Sequence, residues 1–195
     1  MIPTVLSIDV EPDGYFLDRH RPPGWRGFEL SVEYFRAFRD RASRTIGRPI
    51  HAIWFVRMDP QIAETYGSPR WVAEQYPRLF DELAAAGDEI GLHVHAYRWS
   101  DAQEEWIVDH GNQDWIDHCI DTSVEAFRGS FGAPARLFRF GDHWTNERTV
   151  SRLEAAGIRY ELTMEPGHPA VASNHPDKPY SGSLPDTLRA PGGSG

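Results

Sequence analysis

Five short apolar runs recur along the 195-residue chain, and between them apolar residues return every three or four positions. The runs are Thr4 to Ile8, His51 to Val56, Glu89 to His95, Arg136 to Gly141 and Ile158 to Met164. Each is rich in β-branched or aromatic residues and too short for a helix, so each predicts a buried strand. The intervening spacing predicts helices. One starts at Ser31 as N-cap, carries Tyr34, Phe35, Phe38 and Ala42 on one stripe, and stops at Gly47 after about Ile46. A second runs from Pro69 to Ala86 with a restart near Pro77, turning Leu79, Phe80, Leu83 and Ala84 inward before Gly87. A third spans Asp114 to Phe131 on the stripe Trp115, Ile116, Cys119, Ile120, Val124 and Phe127, and Gly132 ends it. A fourth is capped by Thr145, buries Val150, Leu153 and Ala156, and ends at Gly157.

Strand and helix alternating in this way predict an α/β domain built on a parallel sheet, with each crossover helix returning the chain to the next strand. Five β-α steps are too few for an eight-stranded barrel, which leaves an incomplete barrel or an open sheet. Pro12 to Phe28 reads as a rim segment. Arg57 to Pro60 reads as a polar turn, and Asp101 to Gly111, with Trp99 and Trp106 beside and within it, as a cleft-side loop. From Glu165 onward Pro, Gly, Ser and His punctuate an irregular tail, and the closing Gly-Gly-Ser-Gly resembles a linker or a cut end. Residues 1–195 are read as one domain with residues 165–195 as that tail.

The polar residues that follow the strands change the picture. His93 and His95 are two apart in an extended run, so both rings leave the sheet on one side. Asp9 and Glu11 stand in the same relation after the first strand, and Arg139, Asp142 and His143 follow the fourth. A lone histidine at a strand end is more often structural than a ligand, but two imidazoles and a carboxylate contributed from different strand ends are the ligand set of a hydrolytic divalent-metal site. A second carboxylate beside them can take a proton from water. Glu11, His93 and His95 are the candidate ligands and Asp9 the candidate base, with the two acids able to exchange roles. Arg139 is placed to orient Asp9 or bind a substrate oxygen, unless it is a surface ion pair. Asp142 and His143 would support the site or cap the next helix. Trp99, Trp106 and Trp144 could stack on a sugar or simply pack, and Trp99, Trp144 and Asp142 are the candidate substrate contacts. Asp88 and Glu89 are assigned to a solvated junction and Cys119 to packing.

Composition narrows the partners. Twenty basic against 29 acidic side chains, net −9, give no long-range attraction for nucleic acid or an anionic membrane. One cysteine excludes an intrachain disulfide and a cysteine-built zinc site. The start lacks a signal-peptide pattern, and no stretch approaches the roughly 18 apolar residues of a membrane span. A cytoplasmic location is expected.

Ser7-Ile-Asp-Val-Glu-Pro-Asp13, Gly87-Asp-Glu-Ile-Gly-Leu-His-Val-His95 and Phe138-Arg-Phe-Gly-Asp142 resemble, in order and spacing, the first three motifs of the polysaccharide deacetylase family, the NodB-like carbohydrate esterases. The resemblance implies a distorted, incomplete parallel β/α barrel that hydrolyses N- or O-acetyl groups on sugars with zinc or another divalent ion. It implies Asp9 as base, Glu11, His93 and His95 on the metal, and Arg139 supporting the base. Three departures stand out. The commoner pattern puts the second histidine where Tyr97 stands, so His95 substitutes as in a subgroup with H-x-H. Glu11 replaces an aspartate. The late histidine that serves as general acid has no counterpart except His143, or His168 and His175 in the tail, which suggests a longer enzyme.

The expected function is therefore metal-dependent deacetylation of an acetylated carbohydrate. A small non-sugar amide is the enzymatic alternative, and a glycan-binding or assembly protein with a degenerate barrel is the non-catalytic one. Oligomeric state is not legible in the sequence.

Overall fold

The computed structural model describes residues 5–14 and 17–164. Thr4 and the tail with His168 and His175 lie outside the described residues. The chain runs β1 (Ser7–Val10), α1 (Arg26–Ile46), β2 (Ile53–Arg57), α2 (Pro60–Tyr66), α3 (Trp71–Gln75), α4 (Pro77–Ala85), β3 (Glu89–Val94), β4 (Tyr97–Ser100), β5 (Glu105–Val108), α5 (Gln113–Phe131), β6 (Leu137–Phe140), a 3-10 turn (Gly141–His143), α6 (Glu147–Ala155) and β7 (Tyr160–Glu161).

Five strands form one sheet in the order β1-β2-β3-β6-β7, each parallel to its neighbours. The order follows the sequence without a reversal. Right-handed crossovers then put every helix on the same face, as in a barrel wall, rather than on both faces as in a doubly wound sheet. The incomplete-barrel expectation fits this order.

Register separates the two faces. The Asp9, Phe55, Gly91 row and the Arg57, His93, Arg139 row point to the concave side. Val10, Trp54, Val56, Leu92, Val94, Phe138 and Phe140 point to the helices and belong to the main hydrophobic core. Phe28 and Phe35 of α1 meet the Trp54 ring at 6.0 and 5.7 Å, and Ile116, Cys119 and Ile120 of α5 are buried, with α5 lying on β3.

Several local expectations are corrected. Ser31 is not a cap: α1 begins five residues earlier, where the Asp13 carboxylate accepts the N–H groups of Arg26 (2.8 Å) and Gly27 (2.6 Å) from outside the helix. The earlier start rotates the buried stripe to Phe28, Val32 and Phe35, leaving Tyr34 and Phe38 exposed. Gly47, at φ +70°, ends α1 as expected. The turn at 57–60 opens α2, with Asp59 as N-cap and Pro60 in the first turn. The 101–111 loop contains β5, paired antiparallel with β4, and Trp99 faces Trp106 across the hairpin at 5.4 Å. Asn146 rather than Thr145 caps α6, which buries Thr149 and Leu153. The fifth strand shrinks to Tyr160–Glu161. Asp88 is buried, accepting from Ala52 N and Trp54 Nε1 (both 2.9 Å) and pairing with Arg39. A carboxylate with three partners tolerates that burial. Among the described residues no helix is long and apolar enough to cross a membrane.

Candidate metal centre

The site lies beyond the C-terminal ends of β1 and β3. Glu11 follows β1 by one residue, His93 is in β3 and His95 follows it. One ligand atom from each lies within 4.8 Å of the other two. Nε2 of His93 is 3.4 Å from Glu11 Oε1, Nε2 of His95 is 3.6 Å from Oε2, and the two Nε2 atoms are 3.1 Å apart.

The opposite edge of each ring is tied down. His93 Nδ1 donates to the Arg139 carbonyl at 2.8 Å, and His95 Nδ1 to the Asp142 carboxylate at 3.1 Å. In the neutral ring a donor at Nδ1 fixes the tautomer and leaves the Nε2 lone pair facing Glu11. That is the donor geometry of a divalent-metal site, and three N/O ligands suit zinc or a similar ion. Gly141 makes room for it: a Cβ there would come within 2.1 Å of the His95 ring. Asp142 and His143 take positive φ values of 61° and 53°, a turn that brings the Asp142 carboxylate back toward His95.

Charge in the cluster is strongly coupled. Burial alone would raise the Glu11 carboxyl pKa, but hydrogen bonds and attraction from His93 and His95 override it and hold the group far below the usual carboxylate range. Burial and the nearby Arg57 cation would discharge His95, yet Asp142 and Glu11 push its pKa up to about 9. Asp142 is held at about 2, burial again being outweighed by His95.

Asp9 is exposed on the concave face, its Oδ2 3.7 Å from Arg139 Nε. Arg139 also donates to Ser7 Oγ at 3.2 Å. This separates the two acids: Glu11 faces the imidazoles and Asp9 faces the arginine. His143 is half-buried in the turn after β6. Trp99 is half-buried beneath the Arg19 guanidinium, 4.7 Å from its ring. Two expectations fail here. Trp144 is fully buried and stacked on His110 at 4.9 Å, so it has no face to offer a sugar. Asp142 is occupied by His95, with His110 Nε2 at 3.7 Å, so it supports a ligand rather than a substrate.

Sequence reasoning missed Arg57, Asp59 and His110. For two of them a signal was present: Asp59-Pro60 is a helix-start pattern, and Arg57 shares strand parity with Phe55 on the concave face.

No family model matches the chain, and no curated protein does. Solved structures do. A CE4 family pseudoenzyme from Bacillus anthracis aligns at TM-score 0.47 and 12% identity, over 81% of this chain and 42% of its own. A family 4 carbohydrate esterase from Streptomyces lividans, in complex with acetate, aligns at 0.46 and 19%, over 81% and 60%. A polysaccharide deacetylase from Bacillus cereus aligns at 0.43 and 12%, over 80% and 58%. The chain thus spans between two fifths and three fifths of the length of the structures it resembles.

Proposed function

We propose that the chain is a metal-dependent hydrolase that removes acetyl groups from an N- or O-acetylated carbohydrate. The observation that carries this reading is the convergence of Glu11, His93 and His95 from two strand ends, both rings being held from behind so that their Nε2 atoms face one carboxylate. Glu11, His93 and His95 would hold a divalent ion such as zinc, which would supply Lewis acidity there and make water easier to deprotonate. Everything else falls to the chain. Asp9, its Oδ2 turned to Arg139, takes the proton of the attacking water as general base. Arg139 orients that carboxylate from β6, while its carbonyl fixes His93. His143, in the turn after β6, is the candidate to protonate the leaving group, and Trp99 at the hairpin is the candidate sugar platform.

The test is metal content by emission spectrometry together with acetate release from N-acetylglucosamine oligomers, before and after chelation. Bound divalent metal and activity that chelation abolishes and zinc restores are expected. Metal-free protein that zinc cannot activate would overturn the reading, and if it still bound the oligomers it would be a glycan-binding protein instead.

A further inference from the structure

The strand between the two ligand-bearing strands supplies no ligand, yet its end touches both. We propose that the buried Arg57–Asp59 pair is a clamp that positions Glu11 and His95 for metal, an inference that rests on the metal-site reading above. Arg57 is the last residue of β2, in register with His93, and its side chain is 1% exposed. It therefore has no path to a substrate, and a buried guanidinium that merely filled space would be strongly destabilising. Its partners account for that burial. Nε and Nη2 each donate to Asp59 at 2.9 Å, Nη2 also to Gln61 at 2.6 Å, and Nη1 is directed at Glu11 Oε2, 3.6 Å away. Asp59 reaches the other ligand: its Oδ2 accepts the backbone N–H of His95 at 3.2 Å, while Oδ1 caps α2 through Gln61 N and Ile62 N.

Glu11 needs such a tether more than the histidines do. It lies past the end of β1, its side chain is 35% exposed against 2% and 6% for the rings, and it has three rotatable bonds. An unrestrained glutamate side chain gives up rotamer freedom when it is fixed, which weakens binding through it. A lone arginine here would repel a cation, but Asp59 cancels its charge. The pair therefore contributes geometry rather than net field.

The test is a double-mutant cycle on metal affinity in the full chain. Arg57→Lys keeps the charge and the Asp59 partner but loses the planar fork that reaches both acids. It is titrated with Cu2+ in the native and the Glu11→Ala backgrounds, copper being the tightest of the first-row divalent ions, so that the two-imidazole site left behind still binds measurably. A loss of about 10- to 100-fold is expected with Glu11 present, and about twofold or less without it. Equal losses in both backgrounds, or none in either, overturn the clamp and leave Arg57 a structural support for the Asp59 cap of α2. If Arg57→Lys melts early, Arg57→Met/Asp59→Asn enters the same cycle, because it removes the pair without changing net charge and Asn retains the helix cap. Unmutated chain that binds neither zinc nor copper would sink the metal-site reading itself, and the clamp with it. Unmutated chain that binds normally but shows no coupling sinks only the clamp.

Discussion

The two faces of the five-stranded sheet come from alternate residues of the same short strands and do opposite work. On the helix side Val10, Trp54, Val56, Leu92, Val94, Phe138 and Phe140 form a continuous apolar layer. On the concave side the alternate residues include Asp9, Arg57, His93 and Arg139, each paired across strands. A period of two assigns stability to one parity and chemistry to the other. Substitutions should therefore sort by parity, and the expectations below would break that rule or sharpen it.

The largest effect is expected on the concave side. Asp9→Asn should lower turnover about 10²- to 10⁴-fold, the usual contribution of a general base, while zinc affinity and melting temperature stay near those of the unmutated chain. Lost metal binding would mean that Asp9, not Glu11, holds the ion. The counterpart on the helix side is Trp54→Ala. This buried ring touches Phe28 and Phe35 and donates Nε1 to Asp88, so its removal opens a cavity and orphans part of a buried carboxylate's shell. A destabilisation of about 3–5 kcal/mol in urea unfolding is expected, with turnover per folded molecule unchanged. Turnover falling in parallel would show that the faces are not independent.

The third expectation concerns charge. In metal-free protein His95 titrates at about 9 against 6.5 in an ordinary environment, so its imidazolium stabilises the fold. A raised folded-state pKa gives stability that is fully present below about pH 6.5 and lost as pH rises through 9. The loss amounts to about 3 kcal/mol at one pKa unit per 1.4 kcal/mol. Urea midpoints in chelator between pH 6 and pH 10 should show this decline, and His95→Asn should flatten it. An undiminished slope in that variant would assign the titration elsewhere.

Legibility in the sequence followed the same parity. The strand pattern and the H-x-H spacing put both imidazoles on one side, and that required no knowledge of tertiary packing. The α5 stripe was equally plain because one periodic run of 19 residues leaves little choice of register. The start of α1 was hidden because its cap comes from Asp13, thirteen residues before Arg26, which no local window can see. The β4–β5 hairpin was hidden by charge: Asp101 and Glu104 at its turn look like a solvated loop, although Tyr97-Arg-Trp-Ser alternates and Trp106-Ile-Val is a β-prone apolar run. Arg57 and Asp59 read as turn polarity because burial of an ion pair depends on which strand ends surround it. Trp144 was misjudged for the same reason, proximity to the site in sequence standing in for access to it.

The smallest effect tests whether the concave face extends past the ligands. Asp142→Asn retains a residue type that tolerates the positive φ of 61° and keeps a hydrogen-bond acceptor for His95 Nδ1, so the turn should persist. What it removes is the charge that, with Glu11, lifts His95 and that makes the imidazole a better donor to a cation. Zinc affinity by competition with a chromogenic chelator should fall about 10- to 100-fold, whereas melting of the chelated protein should shift little at about pH 10 and above, past the His95 pKa, where most of the imidazolium is lost. Affinity equal to that of the unmutated chain would confine the metal chemistry to three side chains and make Asp142 a turn residue. A loss that alkaline pH did not diminish in the melting curve would instead place its importance in the fold, on the wrong side of the parity rule.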